Sequence, residues 1–238
     1  MAIERLDKVL SDSGMYSRRE ARELVRQGRV TVNGEAARSA DDRVDAAVSE
    51  ICVDGCALNC TRQRYIMLYK PGGVLSATED SRQETVLSLL PPELRRLELA
   101  PVGRLDKDTT GLLILTNDGG YAHRVISPKK HVPKIYRAAV DGVLDEGDTA
   151  AFEAGIVLSD GTVCLPARLD IIRPSVCNVT VYEGKYHQVK RMLASRGKHV
   201  TALHRFKIGA LELDSALKPG MWREMDADEA ALVFENVR

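Results

Sequence analysis

Residues 103–116 limit the possible folds of this chain most strongly, because a charged run passes directly into an apolar one. Two cations and two carboxylates fall within residues 104–108, and residues 112–115 are apolar without interruption. The apolar run predicts a buried β-strand, which the turn residues at 117–120 end. A cluster of charges before a strand is usually a solvated turn. A loop that delivers an aspartate to a strand edge is also a common place for catalysis, so both interpretations stay open at this point.

The chain after residue 62 has the pattern of one α+β domain. Alternating or β-branched residues predict strands at 65–68, 112–116, 136–140, 178–182 and 203–213, and helices are expected at 86–90, 121–126, 147–154 and 187–195. These elements do not alternate regularly as strand and helix, which a doubly wound parallel sheet would require. The predicted fold class is therefore α+β, with domains at 1–61 and 62–238 and a linker at 60–63.

The N-terminal part of the chain predicts two short helices and a hairpin. Residues 6–10 place apolar side chains on one helical face, and Ser17 with Glu20 matches a capping box at the start of a second helix. Gly28 is expected to end that helix. The alternating residues 30–32 and the Asn-Gly pair that follows predict a tight hairpin turn.

The second of these helices presents arginines at a regular spacing. Arg18, Arg22 and Arg26 recur every four residues, with Arg19 and Arg29 nearby. Guanidinium groups along one face suit phosphate contact, although a solvated face paired with glutamates would show the same pattern. The order of helix, capped arginine-rich helix and V-x-V-N-G hairpin resembles the small αL RNA-binding module of a small-subunit ribosomal protein, some tRNA synthetases and several rRNA-modifying enzymes. That resemblance implies RNA binding through Arg18, Arg19 and Arg22.

The overall charge by itself does not favour a nucleic acid as partner. The chain has 34 Lys and Arg against 34 Asp and Glu, which excludes a histone-like basic binder and an acidic disordered chain. Basic residues are nevertheless concentrated, because residues 16–29, 122–140 and 183–207 carry net charges of +3, +5 and +6. We therefore expect a segregated surface, basic where RNA lies and acidic elsewhere.

The sequence predicts neither a membrane protein nor a secreted one. No apolar stretch approaches the roughly 18 residues of a membrane span, and residues 1–10 lack the apolar core of a signal peptide. An odd number of cysteines, five, indicates free thiols, and the C-x3-C-x3-C spacing at 52, 56 and 60 does not match common zinc sites. We expect a cytoplasmic monomer.

Motifs for nucleotide cofactors and for metal catalysis do not occur in the sequence. It contains no G-x-G-x-x-G after a strand, no G-x4-G-K-[ST], no H-E-x-x-H and no G-x-S-x-G. The five histidines are scattered and form no ligand cluster. The expectation is therefore a site with no cofactor and no metal.

Four sequence blocks together resemble one family of RNA-modifying enzymes. They are GRLDKDTTGLLILTNDG at 103–119, residues 65–71 ending in Lys70-Pro71, K-I-Y at 134–136, and EGKYHQVKRM at 183–192 with 203–209 after it. In order and spacing they resemble the RsuA/RluB/RluE/RluF group of rRNA pseudouridine synthases. The resemblance implies an N-terminal RNA-binding module, a catalytic domain with a mixed, largely antiparallel sheet, and an isomerisation without cofactor.

The resemblance also implies roles for particular residues. Asp106, the aspartate of G-R-L-D, would be the catalytic carboxylate; Lys190 would pair with it, and Tyr136 would stack on the flipped base. Without the resemblance, Tyr136 and Leu203 would be taken as strand core residues, and Lys190 as a phosphate contact. The remaining expected contacts with substrate or RNA are Arg104, Leu203, Lys70, Lys134 and Arg191.

The form of the last block favours one substrate within the group. E-G-K-Y-H-Q-V-K-R-M resembles the members that act on 16S rRNA, since the large-subunit enzymes more often carry N-R-Q-[VI]-R-R-M there. The prediction is an enzyme that flips a specific uridine of 16S rRNA and converts it to pseudouridine. The alternatives are a 23S rRNA enzyme of the group, a non-catalytic RNA-binding or assembly factor, and a glycosidase with Asp108 as second acid. An aspartate at position 106 disfavours the binding factor, and the N-terminal module disfavours the glycosidase.

Overall fold

Residues 3–46, 48–58 and 63–235 are described by the computed structural model, and they fall into two units. The first unit comprises residues 1–64 and 90–99, and the second comprises residues 65–89 and 100–238. The predicted domain boundary at 61 lies outside the described residues, as does most of the linker at 60–63, so the predicted bounds stay a prediction. No helix in the described ranges is both long and apolar enough to cross a membrane.

The first unit begins with the two helices and the hairpin that the sequence predicts. The capping box is present: Ser17 Oγ accepts a hydrogen bond from the Glu20 amide at 3.2 Å, and the Glu20 carboxylate accepts one from the Ser17 amide at 2.7 Å. Asn33 and Gly34 both have positive φ, 53° and 83°, as the two-residue turn requires. The elements are β1 (Ile3–Arg5), α1 (Leu6–Asp12), α2 (Arg18–Arg26), β2 (Val30–Val32), β3 (Glu35–Ala36), β4 (Arg43–Asp45), β5 (Ile51–Val53), β6 (Cys56–Ala57) and α3 (Pro92–Arg95).

The apolar faces of α1 and α2 form the core of this unit with the strands. Leu6, Leu10 and Ala21 are fully buried, strand β1 pairs with β4, and a second sheet has the order β3-β2-β5-β6. Asp7 is buried in the same core and forms ion pairs with Arg5 at 3.0 Å and Arg22 at 2.9 Å. A buried aspartate requires such partners, and no local pattern in the sequence predicted it.

The second unit is built on one large sheet. Its elements are β7 (Tyr65–Lys70), a 3-10 helix (Val86–Leu89), β8 (Ala100–Pro101), β9 (Thr110–Thr116), α4 (Gly119–Ile126), a 3-10 helix (Pro128–Lys130), β10 (Lys134–Val140), α5 (Glu146–Ala154), β11 (Arg168–Arg173), β12 (Val176–Val181), α6 (Gln188–Ser195), β13 (Val200–Ile208), β14 (Leu211–Glu212), β15 (Trp222–Met225), α7 (Ala227–Ala231) and a 3-10 helix (Leu232–Phe234).

Strand β9 lies inside this sheet and carries the apolar run of the sequence. The strand order is β11-β12-β10-β13-β9-β7-β15, with β14 on β13 and β8 on β9. Residues 112–115 have no exposed surface, because strands flank β9 on both sides and apolar clusters cover it. Only the β9–β13 pair is parallel among the described strands of this sheet. The predicted α+β class with a mixed, largely antiparallel sheet is confirmed.

The observed helices and strands differ from the predicted ones where contacts between residues distant in sequence decide the structure. The strand predicted at 203–213 divides into β13 and β14 at Gly209, whose φ is +59° and where a Cβ would lie 2.0 Å from the carbonyl oxygen of Val233. The helix predicted at 86–90 is a 3-10 helix. Strands β11 and β15 and helix α7 were not predicted, since their side chains are only partly apolar and their partners lie far along the chain.

Candidate active site

A cavity of about 670 Å³ lies in the second unit, where the loop after β8 meets β10, β13 and the segment before α6. Its wall includes residues 102–107 and 183–189. Tyr136 of β10 pairs in register with Arg205 of β13, and Leu203 lies two residues earlier on that strand, so these three side chains share one face of the sheet. All three line the cavity, whose volume suits a small ligand such as a single nucleotide.

Asp106 lies on the cavity wall in an ion-pair network. Lys190 Nζ is 3.1 Å from Asp106 Oδ2 and 2.6 Å from Asp108 Oδ1. His187 Nε2 is 3.5 Å from Asp106 Oδ1. The Asp106 side chain is 26% exposed and that of Asp108 is 76% exposed, and of these two aspartates only Asp106 lines the cavity.

Electrostatics keep Lys190 and Asp108 of this network ionised at neutral pH. Burial tends to lower the pKa of Lys190, but its hydrogen bonds to Asp108 and Asp106 outweigh burial and raise that pKa above its ordinary value. The hydrogen bond from Lys190 likewise holds the pKa of Asp108 below its usual range. Lys190 is therefore a permanent cation beside Asp106.

Lys70 supports the loop that carries Asp106 and does not face RNA. Its side chain has no exposed surface, and Nζ donates to the carbonyl oxygens of Pro71 at 2.9 Å, Lys107 at 3.1 Å and Thr109 at 2.9 Å. Burial lowers the pKa of Lys70 to about 8. The expected RNA contact of Lys70 is wrong, because three backbone acceptors inside the fold occupy its three donors.

The segment before α6 is fixed by hydrogen bonds that sequence reasoning did not assign. Glu183 is buried, and its Oε1 accepts from the Leu165 amide and from Gln188 Nε2, both at 2.9 Å, while Oε2 pairs with Lys185. His187 has a φ of +47° at the start of the helix. This conformation sets the direction of α6 and brings Lys190, within its first turn, to Asp106.

Arg205 is a further cavity residue that sequence reasoning missed. It is 3% exposed; Nε donates to the carbonyl oxygen of Leu112 at 2.9 Å, and one terminal nitrogen donates to the Tyr136 hydroxyl at 3.4 Å. Its guanidinium carbon lies 5.8 Å from the centre of the Tyr136 ring. The signal was available, because Arg205 follows Leu203 by two residues in a predicted strand and so shares its face.

The other predicted contacts of the second unit lie in different surroundings. Arg104 is exposed on the cavity wall. Lys134 also lines the cavity, donates to the Val125 carbonyl oxygen at 3.2 Å, and has its pKa lowered to about 8 by burial and then by the charge of Arg205. Arg191 forms an ion pair with Asp160 at 2.6 Å and does not line the cavity.

All four arginines of α2 are exposed, and two of them also have acidic partners. Arg26 pairs with Glu23 at 2.6 Å, as the solvated-face alternative predicted, and Arg22 pairs with the buried Asp7. Arg18 and Arg19 are exposed and, with Arg22 and Arg26, border one shallow groove. The groove is cationic, and its RNA contacts stay a prediction.

Within residues 3–46, 48–58 and 63–235, no group of three His, Cys, Asp or Glu side chains could hold a metal ion. Cys52, Cys56, Cys164 and Cys177 are free thiols, and Cys60 lies outside the described residues.

Comparison with known proteins gives concordant matches over both units. Residues 64–195 match the family described as RNA pseudouridylate synthase, and residues 4–48 match the S4 domain. An uncharacterized RNA pseudouridine synthase of Bacillus subtilis is 44% identical, over 97% of this chain and 98% of that protein. The ribosomal small subunit pseudouridine synthase A of Vibrio cholerae is 39% identical, over 97% and 100%. The crystal structure of a pseudouridylate synthase matches with a TM-score of 0.69 and 36% identity, over 97% of this chain and 99% of that one.

Proposed function

The chain belongs to the RNA pseudouridine synthase family, with an S4 domain at its N-terminal end, and we propose that it converts one uridine of small-subunit rRNA to pseudouridine with Asp106 as the catalytic carboxylate. The family is one of isomerases that act on RNA. The observation that carries the proposal is the ion pair of Asp106 with Lys190 at 3.1 Å on the wall of a cavity sized for one nucleotide.

The chemistry of the reaction fits this residue set. Pseudouridine formation breaks the bond between C1′ of the ribose and N1 of uracil and forms a bond between C1′ and C5. The proton on C5 is lost and N1 regains one, so atoms and electrons balance without a co-reactant. Cleavage at C1′ needs a carboxylate, which attacks as a nucleophile or stabilises positive charge. Asp106 fits because it lines the cavity beside Lys190. Glu183 is the other carboxylate of the wall, but both of its oxygens already have partners in the fold. Either role requires the ionised form of Asp106.

Lys190 provides a positive charge beside the carboxylate of Asp106. A carboxylate in a site that excludes water tends to take up a proton, and a cation within about 4 Å opposes that tendency. Lys190 lies within that distance and its own pKa is raised, so it stays charged over the whole physiological range. We assign Lys190 to the catalytic set as the electrostatic partner of Asp106.

Tyr136 and Leu203 provide the surfaces between which a flipped base fits. Enzymes that act on a base inside structured RNA turn the nucleotide out into a cavity and stack it between aromatic and apolar side chains. Tyr136 and Leu203 share the sheet face that lines this cavity. The Tyr136 hydroxyl is the group placed to assist the proton transfer at C5.

Phosphate contacts are proposed for residues around the cavity and on the S4 domain. Arg104 is exposed on the cavity wall, two residues before Asp106. Lys134 and Arg191, from the flanking basic segments, are proposed to contribute more weakly, since the first is partly buried and the second is paired. In the S4 domain Arg18, Arg19 and Arg22 are the proposed contacts.

Two observations support small-subunit rRNA as the substrate. Full-length relatives from Vibrio cholerae and Escherichia coli, at 39% and 38% identity, bear the name ribosomal small subunit pseudouridine synthase A. The E-G-K-Y-H-Q-V-K-R-M block of this chain supports the same choice. The second candidate is a uridine of 23S rRNA, which the test below distinguishes.

The test is to map pseudouridines in 16S and 23S rRNA from cells that lack this protein and from cells complemented with variants. One 16S position should lose its pseudouridine and regain it with the wild-type protein. Asp106→Asn should not restore it, because turnover falls on the order of 10⁴-fold or more when a reacting group is removed. Asp170→Asn is the matched control, since Asp170 is a half-exposed residue of β11 that does not line the cavity and pairs with Arg168 at 2.8 Å.

The outcomes separate the candidate functions. A missing 23S position would favour the second candidate. Full restoration by Asp106→Asn would contradict the role of Asp106. An unchanged map in both rRNAs would contradict the rRNA substrate and favour a binding or assembly function.

A further inference from the structure

One donor of Arg205 is buried at the cavity and has no partner in the fold. The side chain is 3% exposed, and its Nη2 makes no hydrogen bond to any residue in the described part of the chain. The Thr109 hydroxyl, on a residue that lines the same cavity and is 1% exposed, also has no partner among the described residues. A buried polar group without a hydrogen bond destabilises the folded state. Its presence therefore indicates a ligand that supplies the acceptor.

The fold fixes the direction of this donor. Arg205 pairs with Gly111 of β9 on one side and with Tyr136 of β10 on the other. Its Nε and Nη1 are held by the Leu112 carbonyl oxygen and the Tyr136 hydroxyl. Because the guanidinium is planar and rigid, two occupied donors determine where the third points.

Depth in the cavity selects the part of the nucleotide that can reach this donor. Phosphates of a bound RNA stay at the exposed surface, where Arg104 lies, whereas a nitrogen on a 3%-exposed side chain is reached only by a group that enters the cavity. On a flipped uridine that group is the base, and its free acceptors are the carbonyl oxygens O2 and O4. The base would also lie against Tyr136, which already contacts Arg205.

We propose that Nη2 of Arg205 donates a hydrogen bond to a carbonyl oxygen of the flipped uracil, which makes Arg205 a recognition residue for the base. This inference rests on the proposed function. A contact to O4 would also exclude cytosine, whose amino group at that position is a donor that faces another donor. A contact to O2 would fix the orientation of the base without excluding cytosine.

The test replaces single oxygen atoms of the substrate. A synthetic RNA spanning the uridine identified by mapping is prepared with uridine, 2-thiouridine or 4-thiouridine at that position, since sulfur is a weak acceptor. We expect one of the two thio substitutions to lower kcat/KM of the wild-type protein about 10-fold, the value of one good hydrogen bond. The position that responds identifies the oxygen.

Variants then show whether Arg205 is the donor. In Arg205→Met the same thio substitution should have no further effect, because the hydrogen bond is already lost. Arg205→Lys keeps the positive charge but removes the rigid guanidinium, so the fall in kcat/KM on thio substitution should be smaller than in the wild-type protein. This variant replaces Arg205→Met if Arg205→Met does not fold. Arg137→Met is the matched control: Arg137 is an exposed arginine of β10 bonded to Asn178 at 3.2 Å, and the full thio effect should remain.

Two results would overturn the inference. One is a wild-type protein that converts all three RNAs with equal kcat/KM. The other is a thio effect that persists unchanged in Arg205→Met and Arg205→Lys, since a purely structural arginine would slow all three substrates equally. Failure of the proposed function is distinct, because the wild-type protein would then not convert the unmodified RNA at all.

Discussion

Replacing Gly111 by alanine should damage both the stability and the activity of the second unit. Gly111 lies in β9 with a φ of +110°, and an added Cβ would be 2.1 Å from the carbonyl oxygen of Arg205. The three nearest atoms all belong to the Arg205 backbone, so no side-chain rotation relieves the clash. Gly220 is the matched control, because its φ is +87° and nothing lies within 4 Å of an added Cβ.

The free energies of unfolding of the two variants should differ by the energetic cost of the clash at Gly111. Both residues adopt backbone angles that an L-residue disfavours by about 1–2 kcal/mol. Forcing an extra carbon into a packed site adds about 1–3 kcal/mol. We expect the free energy of unfolding to fall by about 1–2 kcal/mol in Gly220→Ala and by about 2–5 kcal/mol in Gly111→Ala.

The single tryptophan makes this measurement specific to the second unit. Trp222 lies on β15, which pairs with β7, and β7 pairs with β9. Urea unfolding followed by tryptophan fluorescence therefore reports the sheet that contains the substitution. Equal unfolding free energies for the two alanine variants would refute the close approach of β9 and β13.

Activity should respond through the position of β13. Restoring an ordinary contact moves the Arg205 backbone by about 1 Å, and a misplacement of that size costs on the order of 10²-fold in rate. Leu203 and Arg205 would move with it, so kcat in Gly111→Ala should fall by that factor while Gly220→Ala keeps wild-type kcat. Wild-type kcat in a destabilised Gly111→Ala would show that the cavity wall does not depend on this contact.

Three further predictions concern charged groups. Lys190→Met should lower kcat on the order of 10²-fold with little change in RNA affinity, measured by single-turnover rates and filter binding. Weaker RNA binding at unchanged kcat would instead indicate that Lys190 is a phosphate contact. Asp7→Asn should destabilise the first unit by about 1–3 kcal/mol at neutral pH, measured by hydrogen exchange of α1 and α2. Burial tends to raise the pKa of Asp7, but its hydrogen bonds with two arginines outweigh burial and lower that pKa. The stability from these ion pairs is therefore present above the ordinary aspartate pKa and is lost as pH falls through the lowered pKa of Asp7. The stability–pH curves of the wild type and the variant should converge in acid, and parallel curves would contradict the pairing. Lys129→Gln with Lys130→Gln should weaken RNA binding and reduce its salt slope by about 2, whereas an unchanged slope would place the phosphates elsewhere.

Local patterns in the sequence predicted the elements that depend on neighbouring residues. The capping box at Ser17 and the hairpin at Asn33 follow from contacts within a few residues. The buried strand at 112–115 was predicted from its uninterrupted apolar run. The structure brings Asp106 and Lys190 together, as the motif resemblance implied, although 84 positions separate them in the numbering.

Contacts distant in sequence could not be predicted in this way. The motif resemblance implied that Lys70 contacts substrate or RNA, and only the fold of the 107–109 loop shows that backbone carbonyls surround its amine. The orphan donor of Arg205 is similarly a property of two strand neighbours and not of its own segment.

The ion pairs in the structure change what the charge distribution along the sequence implies for RNA binding. Residues 183–207 carry a net charge of +6 in the sequence, but their cations are used within the fold. Six of them have acidic partners and the seventh is the buried Arg205: the pairs are Lys185 with Glu183, Lys190 with Asp106 and Asp108, Arg191 with Asp160, Arg196 and Lys198 with Asp148, and Lys207 with Glu212.

The basic segment at 122–140 differs, because it retains exposed cations beside the cavity. Lys129 and Lys130 are exposed on the short 3-10 helix whose first residue, Pro128, lines the cavity. Cations that already have carboxylate partners release few counterions from RNA, whereas exposed ones release nearly one each. In the second unit, the salt-dependent part of RNA binding should therefore come from residues 122–140 more than from 183–207, even though the sequence gives the second segment the larger charge.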